Sequence, residues 1–308
     1  MHKFIIKRLL MLVPVILGVT LLVFTLAHFA PGDPVRVMLG EGAPQEAIDE
    51  LTEELGLNDP FFVQYFRFVF NMVQGDFGIS FQTRRNVGEE ILARYPNTMR
   101  LAGQGILVAL IIGIPLGILS AVKQYTPLDY ISSFFGLLMV SIPNFWLGLM
   151  LIMVFAVNLH LLPPSGSAEW IHWILPTFTI ATGSAASIMR MTRSSMLESI
   201  RNDYIRTARA KGQKESVVIF RHALRNALIP VATTAGLSFG VLLGGAVLTE
   251  TIFAIPGLGA YMVSSMVNRD WPVVRGGAAI IAIAYTVVNM LVDILYAFLD
   301  PRIRSQYK

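Results

Sequence analysis

Hydrophobic residues in this sequence do not alternate with polar ones; they run together in blocks. A helix needs roughly 20 mostly apolar residues to cross the hydrocarbon core of a bilayer. Six blocks are expected to cross, over about residues 9–30, 101–122, 132–157, 173–189, 228–249 and 276–295. The fourth is the least apolar, because Thr177, Thr179, Thr182, Ser184 and Ser187 interrupt it. The first follows Lys3, Lys7 and Arg8, as a signal peptide would, but it is longer than the usual apolar core of about 7–15 residues. The residues after it, Pro31-Gly32-Asp33-Pro34, do not form a small-residue cleavage site, so this block is read as a retained helix.

Between the first two blocks the pattern changes. Residues 31–98 hold eleven acidic side chains against five arginines. Pro44 precedes a helical stretch over 45–55, with Ala47, Leu51 and Leu55 at four-residue spacing and Gly56 as its stop. A second amphipathic helix, rich in Phe, is expected over 61–73. These elements form a small extracytoplasmic module, too short to be an independent enzyme.

Composition changes the picture in one respect. Hydrophobic residues make up 54% of the 308 and charged residues 14%. A soluble chain carries about 25% charged residues, so the fold class is an all-α integral membrane protein with six transmembrane helices. The chain has no cysteine, which excludes disulfides, thiolate metal sites and cysteine nucleophiles.

Charge gives the orientation. Positive loops resist translocation, and sixteen of the 24 Lys and Arg fall on the side of both termini, against eight on the other. Five of those eight lie in the long first loop, which translocates regardless of charge. Both termini are therefore expected in the cytoplasm of a multi-pass protein of the cell (inner, cytoplasmic) membrane.

Several chemistries are missing from the sequence. No Gly is followed by Lys, so there is no phosphate-binding loop. The five histidines are scattered, without metal-ligand spacing, and Ser165 and Ser167 sit beside Pro163-Pro164 without a nucleophile motif. Neither a metal site nor catalysis is expected of this chain. Ion-driven pumps use ionisable residues buried in their spans. Here only Glu250, at the outer end of the fifth block, and Asp293, near the inner end of the sixth, come close. Transport would need energy from another subunit.

Glu250 would face a pore mouth or pair with Arg269 or Arg275; the alternative is a solvated loop charge. Gly236, Gly240 and Gly244, like Gly113 and Gly117, recur every four residues, a spacing that lets membrane helices approach closely. They serve either static packing or a helix face at a moving or dimeric pore seam.

The basic stretch 190–230 is the most informative. A helix over 194–211 is expected to break at Gly212. A second helix follows, with Val217, Phe220, Leu224 and Leu228 on one face and Lys214, Arg221 and Arg225 as a basic stripe. Such a helix lies on lipid headgroups or is presented to a cytoplasmic partner.

Tyr204-Ile205-Arg206-Thr207-Ala208-Arg209-Ala210-Lys211-Gly212, then Arg221-His222-Ala223-Leu224-Arg225-Asn226-Ala227 and Pro230, closely resembles the cytoplasmic loop of binding-protein-dependent ABC transporter permeases. More narrowly, the chain is similar to the first permease subunit of the dipeptide/oligopeptide/nickel branch. Ala30-Pro31-Gly32-Asp33-Pro34, Gly75-Asp76-Phe77-Gly78, and the run from Gly244-Gly245 through Glu250, Phe253 and Pro256-Gly257-Leu258-Gly259 to Arg269-Asp270 match that branch. The broader family begins its loop Glu-Ala-Ala, with Pro thirteen residues after the Gly. Here the start is Arg206-Thr207-Ala208 and the Pro comes eighteen residues after Gly212, the longer form of the peptide branch.

The resemblance implies a type I importer permease fold, divided into residues 1–97, 98–300 and a cytoplasmic tail at 301–308. It implies half of a translocation pore for di- and oligopeptides, with nickel complexes, glutathione and opines as other substrates in the branch. The partners it implies are a second related permease, two ABC ATPase subunits and an extracytoplasmic binding protein, within membrane lipid and without nucleic acid. ATP and Mg would be bound by the ATPase subunits, and no cofactor by this chain. Arg206, Ala208, Ala210, Lys211, Gly212, Arg221, His222, Arg225, Asn226 and Pro230 would form the ATPase-coupling loop, and Glu250, Arg269 and Asp270 the outer gate. The competing class is a membrane enzyme or scaffold whose basic loop only binds anionic lipid.

Overall fold

The protein is described by a computed structural model over residues 2–30, 32, 34–40 and 42–299. Pro31 and Asp33 of the motif after the first block, and the tail 301–308, lie outside the described residues, as does the side chain of Asp293.

The first block forms α1 (His2–His28). The module follows as α2 (Pro34–Leu39), α3 (Gln45–Glu54) and α4 (Phe61–Val73). α3 and α4 each start directly after a proline, Pro44 at φ −60° and Pro60 at φ −54°. A proline there suits the helix start, since the first N–H groups have no partner within the helix. α3 stops where expected, with Gly56 in the left-handed region at φ +62°.

The second block begins earlier than its hydrophobicity suggests. α5 runs from Val87 to Val122, opened by Asn86, whose side chain accepts from the Glu89 N–H at 3.3 Å. The third block is not straight. It forms α6 (Pro127–Ser141) and α7 (Asn144–Leu151), the latter continued by a π-helical segment, Ile152–Asn158, and the two parts bend by 100°. Pro143 is the cause, because the residue before a proline is pushed out of helical geometry, and Ile142 is extended at φ −82°, ψ 121°.

The fourth block lies in α8 (Ile174–Ile200). After α9 (Asp203–Ala210), a single continuous helix contains α10 (Glu215–Val217), a π-helical turn (Val218–Ala223) and α11 (Leu224–Ile252). The basic helix and the fifth block are thus one rod. α12 (Leu258–Val267) and α13 (Trp271–Leu299) complete the chain.

Four helices are long and apolar enough to cross a membrane, over Leu9–His28, Val87–Val122, Glu215–Gly244 and Trp271–Val292, and the bent α6–α7 pair makes up to five. α8 has the length but not the apolarity. It lies in the middle of the bundle, packed along α5 and flanked by α11, α6 and α7. Its Thr177, Thr179, Thr192, Ser195 and Ser199 are buried, and the Thr179 and Thr192 hydroxyls donate to the carbonyls four residues back.

Glycine sets the central seam. A Cβ on Gly113 would lie 2.6 Å from the Ala185 carbonyl oxygen, and one on Gly117 2.7 Å from that of Met189, so α5 and α8 touch backbone to backbone. α1, by contrast, packs mainly on α13 at the edge of the bundle.

Candidate functional site

The basic loop is a built structure, not a tether. The expected single helix over 194–211 is two: α8 ends at Ile200, the N–H groups of Arg201 and Asn202 turn back to the carbonyls of Glu198 and Ser199, and Asn202 adopts an extended conformation that opens α9. Ile205 and Ala208 then point inward, joining Met196 of α8, Ala121 of α5, and Val218, Ile219, Ala223 and Ala227 of the following helix in one buried cluster.

α9 is closed by Gly212 at φ +72°, with its N–H bonded to the Arg209 carbonyl at 2.9 Å and the Gln213 N–H to that of Ala208 at 3.4 Å. No atom lies within 4 Å of where a Gly212 Cβ would stand. The requirement for glycine is thus conformational rather than steric. Across this turn Arg209 donates to both Glu215 oxygens, at 3.1 and 2.6 Å, and those bonds raise its guanidinium above its ordinary pKa. His222 contacts the Gln213 side chain at 2.7 Å.

The expected apolar face of the second helix is corrected by the structure. Phe220 is exposed, Val217, Leu224 and Leu228 are half-buried, and the fully buried positions are Val218, Ile219, Ala223 and Ala227. The π-helical turn widens the repeat there, so a count at α-helical spacing points to the wrong side. The basic stripe is as expected: Lys214, Arg221 and Arg225 are exposed, as are Arg206, Ala210, Lys211 and Asn226, while Pro230 is half-buried within α11. Arg206 is paired at 3.5 Å with Asp203 on its own helix.

A cluster unforeseen from the sequence anchors this loop to the bundle. Arg193 of α8 donates to both oxygens of the buried Asp129 of α6, at 3.0 Å each, and to Ser120 of α5 at 2.9 Å; Ser120 donates to Asp129 at 2.5 Å. The pair is separated by 64 positions, and Asp129 by itself reads only as an acid in the first turn of a helix.

At the opposite end of the bundle, Glu250 has neither an arginine partner nor solvent. It is fully buried and accepts from Thr98 of α5 at 2.6 Å and from the Ala260 N–H at 2.9 Å. Thr98 in turn accepts from the Leu258 N–H at 2.9 Å. Glu250 and Thr98 together cap α12, where a carboxylate is favoured by the unpaired N–H groups and the helix dipole. Glu250 also lies where a Gly257 side chain would be, so that turn has no room for one.

Arg269 is exposed at φ +59° against Gly32, and Arg275 lies over the rings of Phe24 and Phe68 at 5.1 and 5.6 Å. Asp270 is buried and accepts from Ser80 at 2.5 Å and the Phe81 N–H at 2.9 Å, tying the module to the start of α13. The three outer residues therefore do not meet in one group. The seam glycines also divide: Gly236 and Gly240 face Val292 and Tyr285 of α13, whereas Gly244 meets no atom within 4 Å. Among the described residues no His, Asp or Glu cluster could hold a metal ion.

The sequence matches the family described as binding-protein-dependent transport system inner membrane component over residues 113–305, and its N-terminal companion over 1–102. The chain belongs to this permease family. The permease is 46% identical to the oligopeptide transport system permease protein AppB of Bacillus subtilis, over 98% of this chain and 99% of that one. It is 42% identical to the dipeptide transport system permease protein DppB of Escherichia coli K12, over 99% and 100%. It is 41% identical to the glutathione transport system permease protein GsiC of the same strain, over 99% of each chain. Its fold is shared with a chain of the MetNI methionine ABC transporter in inward-facing conformations, at a TM-score of 0.57 and 18% identity, covering 68% of this permease and 96% of that chain. It is likewise shared with a chain of an amino acid ABC transporter with histidines, at 0.52 and 15%, covering 70% and 94%.

Proposed function

We propose that this permease is one half of the pore of an ATP-driven type I importer for di- and oligopeptides in the cell membrane. Its partners are a second related permease, two ATPase subunits that bind ATP and Mg, and an extracytoplasmic binding protein. Peptides are chosen because the oligopeptide and dipeptide permeases are 46% and 42% identical over nearly whole chains. Glutathione, itself a short peptide, is the second substrate to test, given the 41% identity to GsiC.

The observation that carries the reading is the α9–Gly212–α10 turn, whose inner side is locked into the bundle by Ile205 and Ala208 while Arg206, Lys211, Arg221 and Arg225 face outward. A rigid basic knob on the end of a transmembrane rod can pass motion from a docked ATPase to the pore. A loop that only met lipid headgroups would not need a buried core.

The same reading makes six crossings: α1, α5, the bent α6–α7 unit, α8, the α10–α11 rod and α13. α8 counts because a helix surrounded by other helices can carry hydroxyls bonded to its own backbone. Both termini and the basic loop then lie in the cytoplasm, and the acidic module outside.

The test is reconstitution with the three partner types in proteoliposomes. ATP-dependent uptake of labelled di- and oligopeptides is expected, with glutathione and nickel complexes as competitors. Loss of the ATPase subunits on purification in mild detergent, together with no peptide uptake, would favour a lipid-bound scaffold.

A further inference from the structure

The acidic module contains one helix that does not suit an aqueous setting. α4 has three faces. Phe61, Tyr65 and Phe68 pack on α1, with all three rings within 6 Å of the Phe24 ring, and Phe61 also meets His28 edge to face. Gln64, Arg67 and Asn71 turn to the module, where Gln64 donates to the Leu57 and Asp59 carbonyls and Arg67 pairs with Asp59. The third face carries Phe62, Phe66, Phe70 and Val73, between 64% and 78% exposed and spaced as one side of a helix.

Depth along α1 decides what that third face meets. Taking Leu9–His28 as a crossing, the helix covers about 30 Å, the thickness of the hydrocarbon. The Tyr65 hydroxyl donates to the Leu17 carbonyl at 2.9 Å and lies 3.2 Å from Thr20. Leu17 is about 16 Å below His28 along the helix, farther than a tyrosine side chain and its hydrogen bond can reach. The Tyr65 backbone therefore lies below the His28 level. Phe24, on which α4 converges, is about 6 Å below it. That is the depth at which interfacial helices bury their apolar side, about 5–10 Å into the acyl boundary. Phe29, exposed just beyond the end of α1, stacks on Phe61 of α4, and Leu22 and Leu26 of α1 are likewise apolar and exposed. α3, by contrast, carries Glu46, Asp49, Glu50, Glu53 and Glu54, all exposed.

We propose that α4 is a membrane-embedded interfacial helix whose Phe62, Phe66, Phe70 and Val73 face the acyl chains of the outer leaflet. This rests on the crossing of α1 and the orientation proposed above. It divides the module into a water-facing acidic helix and a lipid-facing aromatic one, and α4 fixes the depth at which the module is held.

The test uses the assembled complex in nanodiscs. The chain has no cysteine, so nitroxide labels on Phe62→Cys, Phe66→Cys and Phe70→Cys are unique within it. Leu22→Cys serves as the lipid control, Glu50→Cys as the water control, and the complex carrying the unsubstituted chain, treated with the same label, as background. Collision with oxygen and with a soluble nickel chelate is read at each site. The expected result is an oxygen-to-nickel ratio on α4 that matches Leu22 and exceeds Glu50 severalfold. A ratio matching Glu50 would place α4 in water, and protection from both reagents would place a protein partner on it; either overturns the proposal. Nickel access at Leu22 itself would overturn the crossing of α1, and this proposal with it.

Discussion

Thr98 and Glu250, 152 positions apart, share a 2.6 Å hydrogen bond that neither water nor an arginine reaches. Through it the N-terminal half of α5 is joined to the end of α11 and to the first turn of α12. Removing either side chain strands buried groups, at about 1–3 kcal/mol each. Glu250→Ala is expected to lower the melting temperature of the detergent-solubilised complex and its yield. Glu250→Gln, which keeps one carbonyl acceptor, should do so less, and Thr98→Val should resemble the alanine variant. A melting curve unchanged by Glu250→Ala would refute the capping role.

The seam between α5 and α8 makes a second prediction by contrast. A methyl on Gly117 would be 2.5 Å from the Thr192 Cβ and 2.7 Å from the Met189 carbonyl oxygen, whereas one on Gly244 meets nothing within 4 Å. Gly117→Ala should cost about 1–3 kcal/mol by overpacking, and Gly244→Ala close to none. Thermal stability of the two variants, measured in the same detergent, is the comparison; equal melting points would mean that the helices are not in backbone contact there.

Asp129 and Arg193 hold α6 against α8 through two hydrogen bonds of 3.0 Å. Asp129→Asn keeps the shape but removes the carboxylate charge, and should cost about 2 kcal/mol as an ion pair is replaced by a guanidinium facing a neutral amide. Arg193→Lys should behave similarly, because an ammonium cannot make the bidentate contact. The two single variants and the double variant form a cycle in which the double should lose little more than either single. Full additivity would show that the two residues are not coupled.

Topology is tested with reporters. A reporter fused after Lys308 should be active in the cytoplasm, and one inserted near Gln45 outside. A reporter at Lys308 active only outside would remove the six-crossing reading.

What the sequence revealed follows from what is local. Hydrocarbon thickness is a length, so α1, α5, α11 and α13 appear as apolar runs. α4 and the stop at Gly56 were equally legible, since helix repeat and left-handed turns are written within a few residues. The bend at Pro143 was missed because counting apolar residues ignores backbone geometry. Phe220 was placed inward because a π-helical turn does not announce itself in a repeat. The Glu250–Thr98 and Arg193–Asp129 pairs were not foreseen for a different reason: the partners are distant in sequence and are brought together only by the packing of α5 on α11 and of α6 on α8.

In the proposed function the turn at Gly212 passes ATPase motion to the pore. At φ +72°, a β-branched side chain costs on the order of 1–2 kcal/mol or more and would redirect the rod that begins at Glu215. The crossings themselves are untouched, so Gly212→Val should reach the membrane at wild-type abundance. The decisive measurement is ATP-driven peptide uptake by the reconstituted Gly212→Val complex, read beside its membrane abundance and its ATPase stimulation by loaded binding protein. Uptake abolished at normal abundance is the expected result, with ATPase association weakened or stimulation lost. Wild-type uptake by the Val variant would contradict it, and would leave the loop a lipid-facing connector.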